Sequence, residues 1–261
     1  MKFSEQWLRE WVNPDITTAQ LAAQLTMAGL EVDSVTPVAA AFANVVVGEV
    51  LSVEPHPNAE KLKVCKVNVG ETAPLQIVCG AANVAAGLRV PCARIGAELP
   101  GGMKIKQAAL RGVESSGMLC SAKELGMAES AEGLMILPPD AVAGTDVRRV
   151  LGCDDVSIEL GLTPNRSDCL SVAGVAREVA VLNRMQIKAP QIDSITAAIP
   201  DTFPVKIQAP ADCPRYAGRI LRGVNTDAAS PLWLQERLRR RGVRSIGVVV
   251  AVPNYVLLEF G

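Results

Sequence analysis

The fold of this chain is decided by Val45-Val-Val-Gly-Glu-Val-Leu-Ser-Val53, a β-branched and apolar run that is typical of a strand. A second strand is predicted at Leu62–Val69, where basic and aliphatic side chains alternate before a Gly70-Glu71 turn. Further strand and turn signals follow at Leu75–Cys79, Leu88–Ala93, Pro100–Gly102 and Lys104–Lys106. Five or more short strands with many glycines predict a small β-barrel over residues 41–150.

The segments on either side of this barrel have helical periodicity. In residues 1–40, Thr17 and Gln20 have the spacing of a capping box. In residues 151–200, a cap at Asp168 precedes apolar residues that recur at helical spacing, namely Val172, Val175, Ala176, Val179 and Leu182. We therefore expect residues 1–40 and 151–200 to form one split helical domain, interrupted by the barrel.

The C-terminal part of the chain mixes strand and helix patterns. Strands are expected within 203–224 and over 246–258, and a helix is expected between Pro231 and Gly242. The basic run Arg237–Arg241 fits either a solvated helix face or an RNA-binding patch, and the sequence leaves both open.

Composition excludes several classes of protein. The 261 residues are 49% apolar and 20% charged, which is enough chain for more than one core and too apolar for disorder. The 26 basic and 27 acidic residues give no global basic field. Seven cysteines without a CxxC pair indicate reduced thiols, a cytoplasmic protein and no metal site. No apolar run is long enough for a membrane span, and the first ten residues do not resemble a signal peptide.

The richest candidate site lies within residues 104–126. Lys104 and Lys106 project from one face of a strand, and Arg111 follows after a short apolar interval. Ser115-Ser116-Gly117 adds small hydroxyls and accessible backbone N–H groups. Such a set can contact phosphates and 2′-hydroxyls, although a solvated strand face beside a glycine-rich turn fits the same residues.

The single histidine, His56, lies between two prolines in a stiff loop that leads to Lys61 and Lys63. Catalysis by His56 has no recognisable serine or cysteine partner in the sequence, so a loop histidine with a local hydrogen bond is the simpler interpretation. Cys65, Cys79 and Cys92 fall in strand patterns, where small buried thiols are common.

Three motifs together resemble the tRNA-binding OB-fold module of aminoacyl-tRNA synthetases: His56–Leu62, Ile77–Asn83 and Leu110–Ser121. The surrounding chain resembles the beta subunits of bacterial phenylalanyl-tRNA synthetases. That resemblance is carried by Phe3–Val12, Leu25–Asp33, Leu162–Leu170, Pro214–Arg219 and Ser230–Leu238.

The resemblance implies an α+β multi-domain protein. An OB-fold tRNA-binding domain at 41–150 would be inserted in the split helical domain, and 201–261 would begin an α/β editing-type domain. It also implies tRNA contact through Lys61, Lys104, Lys106 and Arg111, on a surface shaped by Ser116, Met118 and Ser121. Implied partners are tRNA and a synthetase alpha subunit, which would form a heterotetramer of two alpha and two beta chains. No membrane partner is implied. ATP and magnesium would serve the full ligase, with no cofactor and no metal on this chain.

Two departures from the family pattern concern catalysis. Family beta subunits are roughly three times longer, so we expect a truncated editing domain that lacks the downstream editing histidine. Pro253 and Ala251 replace a threonine and an acidic residue of the family, which leaves Asn254 as a remnant of the editing pocket. We expect no catalytic residue here. A free-standing tRNA-binding protein, or a hydrolase of mischarged tyrosyl-tRNA, is the alternative function.

Overall fold

The computed structural model describes residues 1–261, which form a mixed α/β arrangement of strands, six α-helices and short 3-10 segments. The helices are α1 (Glu5–Trp11), α2 (Thr18–Met27), α3 (Val147–Val150), α4 (Val172–Leu182), α5 (Leu232–Arg241) and α6 (Val248–Phe260). The first six strands are β1 (Lys2–Ser4), β2 (Glu31–Pro37), β3 (Ala43–Pro55), β4 (Lys63–Asn68), β5 (Leu75–Cys79) and β6 (Arg89–Leu99). The others are β7 (Met103–Lys104), β8 (Ala108–Leu110), β9 (Val113–Ser115), β10 (Gly117–Leu119) and β11 (Val156–Gly161).

A curled antiparallel sheet occupies the middle of the chain. Its strand order is β10-β6-β3-β4-β5, and β7 pairs with the end of β6. The prediction of several short strands in 41–150 is therefore confirmed. Gly48 permits the curl, because a Cβ there would lie 2.8 Å from Val67 Cγ1 and 2.9 Å from Cys92 Cβ. The strands thus approach more closely at Gly48 than any other residue would allow.

The two edges of the curled sheet meet along a line that we call the seam, formed by β5 on one side and residues 114–117 on the other. The Ser116 backbone N–H donates to the Gln76 carbonyl at 2.8 Å. The Val78 N–H donates to the Ser115 hydroxyl oxygen at 3.1 Å, and that hydroxyl donates to the Gly117 carbonyl. A side chain therefore supplies hydrogen bonds that a regular ladder would take from the backbone.

A second, three-stranded antiparallel sheet has the order β1-β11-β2. Phe3 and Val35 flank Ile158 on its two sides. The prediction that the flanking segments are purely helical is wrong in this respect. Residues 31–35 alternate in exposure, but their strand partner is β11, which lies more than a hundred residues away in sequence.

Helices α1, α2 and α4 cover this small sheet and share one apolar core with it. The core contains 17 buried residues drawn from both flanking segments, including Phe3, Trp7, Leu25 and Ile158. The predicted capping box is present, with Thr17 and Gln20 bonding reciprocally at the start of α2. Ser171, rather than Asp168, caps α4, because Asp168 bonds to Arg166 instead.

The strands expected in the C-terminal part are not formed. No helix or strand lies between Leu182 and Leu232, and 248–260 is helix α6 instead of a strand. The β-branched residues of α6 have a local preference for a strand, but tertiary packing overrides it. The contact that does so is the burial of Ala251 against Leu234 and Leu238 of α5.

The arginine run of α5 is a docking surface inside the molecule, neither a solvated face nor an RNA patch. Arg240 binds the fully buried Asp155 carboxylate at 2.9 Å and the Leu151 carbonyl at 2.6 Å. Arg239 donates to the Val38 carbonyl at 3.0 Å, while Arg237 pairs with Glu10. Each of these arginines thus has a partner within the fold.

None of the helices is long and apolar enough to cross a lipid bilayer.

Candidate nucleic-acid interface

An open cleft of about 670 Å³ lies beside the seam of the curled sheet. Its wall includes the β5 end, the segment from Met103 to Leu110 and strand β10. Four of the site residues expected from the sequence line it: Lys104, Lys106, Met118 and Ser121. The structure therefore brings part of the expected set together around one concave surface.

The two lysines of the cleft differ in their electrostatic environment. Lys104 Nζ lies 2.7 Å from a Glu98 carboxylate oxygen, and this hydrogen bond raises the pKa of Lys104 and lowers that of Glu98. Both side chains are exposed, so the ion pair is weak and a phosphate can compete for it. Lys106 is exposed and forms no ion pair. Lys106 is thus the cation of the cleft that is free to bind an anion.

Arg111 lies at the tip of a hairpin formed by β8 and β9. The loop consists of Arg111 and Gly112, both with positive φ, at 50° and 88°. This is the geometry of a two-residue type I′ turn, which favours Asn-Gly and which an arginine adopts only with strain. Arg111 is exposed and forms no ion pair, so its guanidinium is presented to solvent next to Leu110, which lines the cleft.

His56 is buried beneath this hairpin. Its Nε2 lies 2.9 Å from the Leu110 carbonyl oxygen, and its Nδ1 accepts from the Asn58 backbone N–H at 3.0 Å. The Asn58 side-chain amide donates to the Arg111 carbonyl at 3.0 Å. These bonds place the exposed Lys61, three residues beyond Asn58, in the loop that contacts the hairpin. The local hydrogen bond expected for His56 is present with Asn58, and the bond to Leu110 is a further, long-range contact that the sequence did not indicate.

Ser116 does not line the cleft. It donates its backbone N–H to the Gln76 carbonyl at the seam. Ser121 does line it and binds the Glu124 carboxylate through both its N–H, at 2.6 Å, and its hydroxyl. Burial alone would raise the pKa of Glu124, but the hydrogen bonds from Ser121 lower it overall. Ser121 therefore stabilises the wall of the cleft and has little donor capacity left for a ligand.

Sequence reasoning missed several residues of this region. Glu98, which pairs with Lys104, is brought there by the β6–β7 register, in which the two residues oppose each other. Asn58 and Ser115 were visible only as loop and turn residues. Their roles depend on contacts with segments 53 and 37 residues away in sequence, which periodicity does not reveal.

The one cluster of closely spaced metal-ligand residue types in this chain does not suit magnesium. The one group with suitable spacing is Asp168, Cys169 and Glu178. Arg166 already neutralises both carboxylates, at 3.2 Å from Asp168 and 2.8 Å from Glu178, and a buried thiol is a poor ligand for a hard cation.

Asn254 lies on α6, half-buried and outside the cleft. Its neighbour Tyr255 stacks on Trp7 at 5.3 Å between ring centroids, and Trp7 and Trp11 both donate to the buried Glu259 carboxylate at 3.2 and 3.1 Å. Burial, followed by the hydrogen bond with Glu259, raises the pKa of Tyr255 to about 12. This part of α6 is an internal contact surface.

Comparison with known protein families identifies the modules. Residues 45–146 match the family model of a putative tRNA binding domain, and residues 212–261 match that of the B3/4 domain. The first match coincides with the curled sheet and its basic cleft. The fold and the site together thus define a protein with a tRNA-binding module.

Full-length relatives narrow the assignment. The chain is 57% identical to the phenylalanine–tRNA ligase beta subunit of Idiomarina loihiensis, and 58% identical to those of Hahella chejuensis and Pectobacterium atrosepticum. Each match covers 100% of this chain and 33% of the relative. The chain belongs to the phenylalanine–tRNA ligase beta subunit family and spans about a third of the length of these relatives, which confirms the resemblance seen in the sequence.

Proposed function

We propose that this chain binds tRNA as part of the beta subunit of a phenylalanine–tRNA ligase, through an OB-type fold over residues 41–150. The observation that carries the proposal is the cleft within the tRNA-binding match, with Lys106 and Arg111 free of ion pairs and Lys61 on the adjoining loop. Lys104 would join them when phosphate displaces Glu98. Met118 and Ser121, which line the cleft, would shape the surface rather than carry charge, and Ser116 would act only through its backbone N–H at the seam.

The chemistry of the surface favours contact with the RNA backbone. No Phe, Tyr or Trp occurs between residues 43 and 150, so the cleft offers no platform on which bases could stack. Lysine and arginine side chains at a rim bind phosphates regardless of sequence. We therefore propose sequence-tolerant recognition of backbone and helical shape.

Assembly with an alpha subunit into a tetramer of two alpha and two beta chains is part of this proposal. So is the use of ATP and magnesium by the full ligase. This chain would then bind tRNA, while the ligation chemistry would be supplied elsewhere in the assembly. Cytoplasmic location stays a prediction from cysteine usage.

The alternatives have less support. A free-standing tRNA-binding protein would not need the flanking segments, which here share a 17-residue core with each other. An editing hydrolase would need a reactive pocket at Asn254, whereas that residue lies on the helix packed against Trp7. We expect no deacylation of tyrosyl-tRNA carrying the phenylalanine anticodon.

The direct test is a binding titration with fluorescently labelled phenylalanine-accepting tRNA, read by anisotropy. Neutralising three to four phosphates predicts a log–log salt slope of about −2 to −3. K106A and R111A should each weaken binding about five-fold at 0.15 M salt and make the slope shallower by about 0.9, the share of one phosphate. Arg177→Ala on α4 removes the same charge far from the cleft in sequence and should leave binding unchanged. Salt-independent binding, or wild-type affinity of both cleft variants, contradicts the proposal.

A further inference from the structure

We infer that His56 and Asn58 form a latch that holds the Arg111-Gly112 turn in its left-handed conformation and so positions the Arg111 guanidinium for a phosphate. This inference rests on the proposed tRNA-binding function. In it, Arg111 contacts the ligand, and His56 and Asn58 act as positioning residues.

The latch consists of two hydrogen bonds to consecutive carbonyls. His56 Nε2 bonds to the carbonyl of Leu110 at 2.9 Å, and Asn58 Nδ2 donates to the carbonyl of Arg111 at 3.0 Å. These are the last strand residue and the first turn residue of the hairpin. Their peptide groups set the direction in which the Arg111 side chain leaves the turn.

The turn needs such support from outside. Arg111 has a φ of 50°, a region that L-residues with a Cβ rarely adopt. The hairpin itself is short, because β8 and β9 have three residues each and pair only with one another. A strained residue persists only where surrounding contacts over-determine its conformation, and the latch provides those contacts.

The latch is itself rigid. Pro55 and Pro57 flank His56 and fix the backbone on both sides. The His56 N–H donates to the Leu62 carbonyl at 3.1 Å, which anchors the loop to its own far end. The Asn58 backbone N–H donates to Nδ1 at 3.0 Å, so the donor to Leu110 must be the Nε2–H of a neutral ring. One tautomer of His56 is thereby selected.

The histidine can be observed directly, because His56 is the only histidine of the chain. We expect the ¹⁵N NMR spectrum of the full chain to show the neutral Nε2–H tautomer at pH 8. The Nδ1–H tautomer, or an even mixture of the two, would overturn the latch.

Binding of labelled phenylalanine-accepting tRNA by single and double variants then tests positioning. H56A and N58A should each weaken binding, by up to the five-fold expected for R111A. In the R111A background the same substitutions should cause no further loss, because the group that they position is gone. If H56A or N58A instead damaged the whole cleft, Lys106 would also be displaced. The double variants would then bind tRNA more weakly than R111A alone.

The outcomes separate the inference from the function on which it rests. If R111A weakens binding while H56A and N58A bind like the wild type, the latch is wrong and the tRNA site stands. If R111A and K106A both bind like the wild type, the proposed function fails. Should H56A not fold, as judged by its thermal melt, N58A carries the test alone, because Asn58 is exposed and its replacement removes no buried group.

Discussion

The cysteines show how strongly burial separates residues of one type. Burial raises the pKa of the Cys92 and Cys120 thiols to about 12 and that of Cys65 to about 11, whereas Cys213 is exposed. Only a thiolate reacts quickly with alkylating reagents, so the buried thiols stay protonated and unreactive near neutral pH.

Iodoacetamide at pH 8 should therefore add one label to the native chain and seven to the chain in denaturant, as counted by intact mass. The Cys213→Ser variant is the matched control and should take up no label when native. Rapid labelling of a second cysteine would show that a core opens on the timescale of the reaction.

Arg111 presents an exposed charge from a turn position that it occupies only with backbone strain. Arg111→Asn would create the Asn-Gly pair that a type I′ turn prefers. Relief of the left-handed strain should raise the free energy of unfolding by about 0.5–1 kcal/mol, measured in urea, while tRNA binding weakens. Gly112→Ala is the converse control, because a Cβ at a φ of 88° should destabilise the hairpin. An Arg111→Asn variant less stable than the wild type would contradict the strain argument.

At the scale of elements, the seam depends on one hydroxyl. Ser115→Ala would leave the N–H of Val78 without its acceptor next to a buried strand, which costs about 1–3 kcal/mol. Urea unfolding should show a loss of that size for Ser115→Ala. The neighbouring Ser116→Ala removes a hydroxyl that the seam does not use, because Ser116 contributes its backbone N–H, and should be nearly neutral. Equal losses in the two variants would exclude this account of the seam.

Local chemistry predicted the elements whose determinants are local. The capping box at Thr17, the apolar stripe of α4 and the left-handed Gly242 at the end of α5 are all present. Strands β2 and β11 were missed, because each depends on a partner far away in the chain. Helix α6 was missed for the same reason. Its valines favour a strand locally, and the helix depends on packing of Ala251 against Leu234 and Leu238, which the local sequence does not show.

The candidate site divides in the same way. Sequence spacing predicted Lys104, Lys106 and Arg111 as a basic set, and in the structure the two lysines line the cleft while Arg111 follows the cleft-lining Leu110. Spacing did not reveal that Glu98 shares the charge of Lys104, or that Asn58 holds the turn of Arg111. Both facts arise from strand register and loop contact, which no single segment encodes.

For the whole molecule, the proposed division into a split domain, a barrel and a C-terminal part predicts where proteases act. Residues 186–231 contain no helix or strand and are mostly exposed, so the first cuts should fall there. Later cuts near residues 40 and 150 should leave the flanking segments associated through their common core. Mass spectrometry of the digest, after size-exclusion chromatography without denaturant, checks both statements. Separation of the two flanking segments would exclude the split domain.

The small sheet has a consequence for how this chain could be reshaped. Pro37 at the end of β2 lies opposite Val156 at the start of β11, and the Val38 N–H donates to the Asp155 carbonyl at 3.1 Å. Topologically, β2 and β11 are therefore the two arms of a hairpin, and everything from 38 to 155 occupies the position of its turn. A two-residue turn such as Asn-Gly has the length needed to join Pro37 directly to Val156. Both covalent connections between the small sheet and residues 38–155 therefore lie side by side at one end of the β2–β11 pair, whose register is carried by its own backbone pairing.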